Sequence, residues 1–371
     1  MGYNKNNDGK IFLLCTGLGR IKRGFESYIE ELGIKLSEQG FNVYVLGGRK
    51  PTNYQVNFAK LYSINRNSWL SKKLLTTAAA FSLEQLSAAL FLFSSIITHR
   101  PKVIYLGEYQ LYCYLFKMRK VFGFSYSLVL YTGGQAIPGL FDIQKDYVHH
   151  VTDVYVGSLL KSSYPADRQY LIPHFVSNTF LQDKNTMSQL PFTTDKKIVL
   201  SVGIVDYATK QMHLIPELLS YAKEQFFPVI IGETTSESEL IKKRLTEVFG
   251  ESGFYVAKVR KEDLAIFYQT ADLFILLSPK ESFGLVFVEA MCYGTNVICI
   301  DFPESRYVLK DKAFYLESGD IDSLRKQFQK VIELNPDIFR KSNENKRFVY
   351  ENYSWESLAN KYKMMFDEFA K

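Results

Sequence analysis

Apolar residues in this chain gather into short runs separated by longer stretches with helical spacing. Residues 11–16 form one such run. A Gly-rich loop follows (Gly17, Gly19, Gly24), then a helical pattern over 25–39, then a second run at 41–46. Runs this short and continuous, alternating with helices, predict strands buried on both faces of a parallel sheet. Residues 102–106, 127–131 and 153–156 continue the series, and 171–176 closes the first half. Residues 182–197 are polar and read as a linker. Beyond them the alternation resumes, with strands expected at 198–202, 228–231, 253–256, 272–277, 296–300 and 313–316. Residues 355–371 have the spacing of an amphipathic helix, with Leu358, Tyr362, Met365 and Phe369 on one side.

The pattern predicts an α/β protein of two doubly wound, Rossmann-like domains, 1–180 and 181–353, with a tail at 354–371. Two such domains facing each other would make a central cleft, and ligands are expected outside the carboxyl ends of the strands. A length of 371 residues suits two domains. With 47% hydrophobic and 23% charged residues, the chain is an ordinary globular protein rather than a disordered one. Cys15, Cys113, Cys292 and Cys299 sit in apolar contexts without metal-ligand spacing, which suits reduced thiols in a cytoplasmic protein. Met1 to Lys10 is polar and has no apolar signal core. Residues 76–98 carry one formal charge, Glu84, and are long enough to span a membrane. Gln85 and several serines inside the stretch favour a buried core helix instead.

Charge is uneven. Residues 1–190 hold 21 Lys+Arg against 12 Asp+Glu, while the remainder is slightly acidic. The basic half could meet an anionic acceptor or the inner membrane face, or reflect a solubility bias alone. No cluster is dense enough to suggest nucleic acid.

The candidate chemistry centres on Glu281 and Glu289, with seven residues between them. If 283–292 is helical, Glu281 lies just before the helix and Glu289 about two turns inside. A loop carboxylate and a helix carboxylate can then address one ligand, and the free N–H groups at the helix start suit a phosphate. Carboxylates for hydroxyls beside amides for phosphate describe a nucleotide-sugar site. The plainer alternative is a dipole-favoured Glu and a solvated Glu. Glu289 sits among Val286, Val288, Ala290 and Met291, however, and a buried Glu needs a partner.

With these two glutamates, the apolar segment after them and the turn Tyr293-Gly294-Thr295, the chain resembles a retaining GT-B glycosyltransferase close to family 4. The resemblance implies that Glu281 binds donor-sugar hydroxyls, that Glu289 binds the ribose, and that the backbone of Phe283, Gly284 and Leu285 faces the diphosphate. It implies that Lys210, seven residues after Gly203, contacts the diphosphate. Such a charge can stabilise the leaving group. It further implies that backbone near Lys258-Val259-Arg260 reads the base, that Gly24 lets a ligand approach the first helix, and that the C-terminal tail crosses back to the first domain.

The chain departs from that pattern at three places. Ile204 stands where an arginine usually follows the glycine, so Arg260, Lys258 or Arg306 are the candidate replacements. Arg23 replaces the first glycine of a glycine pair, and Thr132 stands where many relatives have histidine. Glu108 is the best carboxylate candidate in the first half; tyrosines 105, 109, 112, 114, 126 and 131 could stack on an acceptor sugar, although helix and strand packing explains most of them. His174 is expected to be structural. His149-His150 lack a third metal ligand. Asp320, in Asp320-Ile321-Asp322, is expected to cap a helix.

The resemblance implies a metal-independent hexosyltransferase with Glu281 and Lys210 catalytic. It implies that Glu289, Phe283, Gly284, Leu285, Gly24, Val259 and Arg260 bind the donor, a UDP-sugar of the UDP-glucose type, that no cofactor is needed, and that the acceptor is a glycan or lipid-linked sugar in bacterial polysaccharide synthesis. Two alternatives stay open. One is a NAD-linked oxidoreductase using the first Gly-rich loop, although no acidic residue follows the second strand to hold a ribose. The other is a non-catalytic sugar-nucleotide-binding protein.

Overall fold

The computed structural model describes residues 9–20, 24–51, 54–66, 68–133, 142, 144–155, 165–181 and 189–369. The chain divides into two compact units, residues 1–172 with 359–371, and residues 173–358. Each is built on one parallel sheet.

The sheet of unit 1 contains β1 (Ile11–Cys15), β2 (Val43–Gly47), β3 (Asn57–Lys60), β4 (Val103–Leu106), β5 (Ser127–Thr132), β6 (Tyr147–His150) and β7 (Gln169–Leu171). Their order is β3-β2-β1-β4-β5-β6-β7, with every pair parallel. All five residues of β1 are buried, as its apolar run requires of a strand covered on both faces. Helices Gly24–Glu38, Thr77–His99 and Tyr109–Phe122 supply the crossovers. Residues 359–369 of the last helix, Trp355–Phe369, belong to this unit. There Tyr362, Met365, Phe366 and Phe369 are buried, Tyr147 and Phe369 pack with ring centroids 4.6 Å apart, and Tyr28 donates to the Tyr362 hydroxyl at 3.1 Å.

Two differences from the sequence pattern stand out in this unit. Residues 153–155 form a 3-10 turn, not a strand, and residue 156 lies outside the described residues. The strand in that region is β6, whose two histidines are buried. His149 takes a 2.7 Å bond with Tyr105 and a 2.9 Å bond with the Ile172 carbonyl, and His150 a 2.8 Å bond with Thr132. Burial holds both imidazoles neutral, pushing His149 down to about 3 and His150 to about 4. The second is β3, missed because an edge strand reading Asn-Phe-Ala-Lys lacks an apolar run. A buried ion pair anchors the same sheet: Arg119 clamps Asp146 through two nitrogens at 2.5 and 2.9 Å, and the Leu128 amide and Tyr112 hydroxyl satisfy the carboxylate further.

Unit 2 contains β8 (Lys197–Val202), β9 (Phe226–Ile231), β10 (Tyr255–Ala257), β11 (Leu273–Leu276), β12 (Asn296–Ile300) and β13 (Phe314–Leu316). All pairs are parallel, in the order β10-β9-β8-β11-β12-β13. The order reverses direction between β8 and β11, which are hydrogen-bonded neighbours although β9 and β10 intervene in the chain. In an open parallel sheet that reversal is where loops diverge and leave a crevice at the carboxyl ends. Asp320 caps helix Ile321–Leu334, accepting from the Ser323 amide at 2.8 Å. The architecture is two parallel-sheet, Rossmann-like α/β domains.

Candidate functional site

The loops leaving β8 and β11 carry the candidate residues Lys210 and Glu281 of unit 2. After β8 the chain turns at Gly203, where an added Cβ would stand 3.0 Å from the Lys210 side chain, so only glycine lets that stem lie close over the strand end. The loop is held by Asp206. Its carboxylate accepts from the Thr209 amide at 3.1 Å, from the Lys210 amide at 2.8 Å and from the Thr209 hydroxyl. This is a side chain capping its own turn, and it aims Lys210 back toward the sheet.

After β11, Leu277 and Ser278 are buried, Pro279 and Lys280 are exposed, and Glu281 returns half-buried. The Lys210 ammonium donates to Glu281 Oε1. The two side chains are 20% and 12% exposed, so the pair is partly withdrawn from solvent yet open on one side. The reversal in strand order is what brings together residues 71 positions apart.

Helix Leu285–Cys292 starts two residues later than the spacing suggested. Gly284 explains the delay: it occupies the left-handed region at φ 75°, and an added Cβ would meet the Phe287 ring at 2.4 Å. Glu281 therefore lies four residues before the helix, and Glu289 is its fifth residue, little more than one turn inside. Phe283 is buried against His174 at 5.1 Å and Tyr353 at 5.6 Å between ring centroids, so its side chain is an anchor and its backbone faces the loop. His174 accordingly packs in unit 2 as a core residue.

Glu289 is half-buried and accepts from the Tyr268 hydroxyl at 2.8 Å. Burial, reinforced by that carboxylate, pushes the Tyr268 phenol well above its ordinary value, so it stays protonated and donates. Tyr268 and Asp206 have roles that sequence reasoning missed. An Asp four positions before Lys210 is a legible turn signal, whereas nothing local marks Tyr268 as the partner of Glu289.

The expected replacements for the missing arginine are each engaged elsewhere. Arg260 is 69% exposed and binds Asp263 at 2.7 and 3.0 Å. Lys258 binds Glu233, and Arg306 binds Asp301 and lies over the Tyr315 ring at 3.6 Å. Val259 is half-buried beside Arg260. Lys210 is the cation that meets Glu281.

In unit 1, Gly24 is exposed at the first turn of helix Gly24–Glu38, and Arg23 lies outside the described residues, as do residues 134–135. Glu108 Oε1 accepts from both the amide and the hydroxyl of Thr16 at 2.9 Å, and burial raises its carboxyl pKa. Most of the tyrosines are packing residues, as expected: Tyr105, Tyr112, Tyr126 and Tyr131 are buried core side chains, whereas Tyr109 is exposed. Strand and helix packing claims the four because aromatic bodies are the largest apolar volume available to that core. Among the described residues, no three His, Cys, Asp or Glu side chains converge as metal ligands.

Residues 182–355 match the family described as Glycosyl transferases group 1. An uncharacterized glycosyltransferase of Haemophilus influenzae is 24% identical over 195 residues, covering 50% of this chain and 52% of that protein, so the match spans about half the relative's length. The O-antigen chain mannosyltransferase RfbU of Salmonella typhimurium is 22% identical over 72% of this chain and 84% of its own. Among solved structures, HepE of Anabaena, in complex with UDP and glucose, superposes with a TM-score of 0.72 at 13% identity, covering 97% of this chain and 100% of that one. At that identity the likeness speaks to fold. Residues 182–355, within which Lys210, Glu281 and Glu289 lie, are thus similar to the Glycosyl transferases group 1 family, in a chain whose fold is that of the solved structure above.

Proposed function

We propose that the chain transfers a hexose from a nucleotide-sugar, of the UDP-glucose type, to a glycan or lipid-linked sugar, with retention of anomeric configuration and without a metal. The observation that carries this is the meeting of the Lys210 ammonium and the Glu281 carboxylate at the carboxyl ends of β8 and β11. A cation for a diphosphate and a carboxylate for sugar hydroxyls are then within one side chain of each other.

In the proposed reaction Glu289, oriented by Tyr268, holds the ribose hydroxyls. Lys210 and the amides of Gly284 and Leu285 take up the negative charge that develops on the leaving diphosphate, and this preorganised charge lowers the barrier. Glu281 orients the sugar. The acceptor attacks from the face the diphosphate leaves, through an oxocarbenium-like transition state, and the leaving diphosphate receives the acceptor proton. The UDP and glucose in complex with HepE support the donor class, and the O-antigen chain on which the mannosyltransferase RfbU acts supports a glycan acceptor.

A thermal-shift panel with UDP, GDP, ADP, UDP-glucose, GDP-mannose and NAD tests the assignment. A ligand at about 100 times its dissociation constant stabilises the fold by roughly 2.7 kcal/mol. Stabilisation by UDP and UDP-glucose is expected. A response to GDP and GDP-mannose instead would replace the donor, and a response to NAD alone would overturn the reading.

A further inference from the structure

Helix Thr77–His99 presents two apolar faces. One, with Ala88, Ala89, Leu92 and Ile96, is buried in the core of unit 1. The opposite face carries Leu86, Leu90 and Ile97, spaced four and seven residues apart and so aligned along the helix, and Leu90 is 65% exposed. The apolar surface extends in both directions. Phe93 leans on the exposed Phe122 at 4.8 Å, and helix Trp69–Leu74 shows Trp69 and Leu74 at 70% and 72% exposure. Exposed large apolar side chains in this number, on three successive helices, mark an interaction site.

Its surroundings are basic. Residues 60–122 contain nine Lys+Arg and two Asp+Glu; Arg119 is buried against Asp146 and Lys120 lies 3.7 Å from Asp142, while Lys60, Lys73 and Lys117 are exposed. Both acids turn inward: Glu84 is buried against Arg66 at 3.3 Å and Arg20 at 3.8 Å, and Glu108 binds Thr16. Cations stand beside other exposed apolar side chains of this region: Lys60 lies 4.7 Å over the Tyr62 ring, which packs on the exposed Phe91, Lys73 lies 4.9 Å over Trp69, and Lys117 is one helical turn from Val121, itself exposed.

We propose that this face docks on the surface of an anionic lipid bilayer, with helix Thr77–His99 lying in the interface. The helix is long and apolar enough to cross a membrane, but the face packed in the core of unit 1 ties it to a folded sheet. A second copy of the chain would oppose one cationic rim to another. Anionic headgroups match the rim, acyl boundary matches the stripe, and Trp69 stands where an interfacial indole is favoured.

The test is vesicle co-sedimentation of the full chain, with equal-part phosphatidylglycerol and phosphatidylcholine against phosphatidylcholine alone. The chain has two tryptophans, and Trp355 is buried, so Trp69 reports insertion by a blue shift of its emission. Binding to the anionic vesicles with a blue shift is expected. Leu90→Glu should weaken it by roughly tenfold or more, because a charge replaces a side chain at the acyl boundary. Lys73→Gln or Lys117→Gln should each weaken it about fivefold. No binding to anionic vesicles would overturn the proposal, as would equal binding to neutral ones or binding indifferent to both Leu90→Glu and the lysine changes. So would a dimer that Leu90→Glu disperses while vesicles go unbound.

Discussion

Lys210 and Glu281 form an ion pair, and a diphosphate that engages Lys210 must compete with that pair. Glu281→Gln removes the competing charge while preserving shape. At 20% and 12% exposure the pair lies between a surface ion pair and a buried one. Exposed pairs contribute about 0–1 kcal/mol, and breaking a buried one costs several, so ~1 kcal/mol is the scale of the competition. UDP should therefore bind Glu281→Gln about fivefold more tightly than the parent by calorimetry. Release of UDP from UDP-glucose, with water as acceptor, should at the same time fall by roughly a hundredfold, since a carboxylate that orients the sugar is gone. Opposite movement of affinity and turnover is the signature. Weaker UDP binding in Glu281→Gln would refute the competition, and unchanged UDP binding in Lys210→Met would remove Lys210 from the phosphate site.

Other perturbations probe the same framework. Tyr268→Phe keeps the ring but deletes the donor to Glu289. A hydrogen bond to a charged group contributes about 1.5–3 kcal/mol, so denaturant unfolding should register a loss and UDP affinity should drop roughly tenfold. Glu289→Ala should weaken UDP at least as much, and equal affinity in variant and parent would sink the ribose assignment. Gly284→Ala forces a side chain into a left-handed backbone and against Phe287, so a loss of about 1–3 kcal/mol in stability is expected, together with weaker UDP binding by thermal shift. His149 is held neutral to about pH 3, whereas an unfolded imidazole binds its proton near 6.5, so the unfolded state carries more protons between those values. Stability should be fully present above about pH 6.5 and decline as pH falls, by about 2 kcal/mol at pH 5 from this residue. Denaturation midpoints that do not move between pH 7.5 and 5 would contradict the burial.

The short apolar runs were sufficient to predict parallel sheets, because a strand covered by helices on both faces must be apolar at nearly every position. That is why β1, β2, β4, β5 and the strands of unit 2 were legible. Elements that break the rule were not. β3 is an exposed edge, β6 hides two histidines whose polarity its neighbours satisfy, and residues 153–155 look like a strand but turn. Spacing and residue type could also nominate Glu281 and Glu289, and the family resemblance Lys210. Neither could pair them, since the Lys210–Glu281 contact depends on β8 lying beside β11, and the Tyr268–Glu289 bond on two helices 21 residues apart meeting over one sheet. Helix Thr77–His99 makes the same point from its surface. Composition made it apolar enough to span a membrane, and only the packing of Ala88, Leu92 and Ile96 decided which face is core and which, with Leu90, stands open. Local pattern is written in neighbouring residues. Partnership between distant side chains is set by strand order and helix packing, which no window of sequence contains.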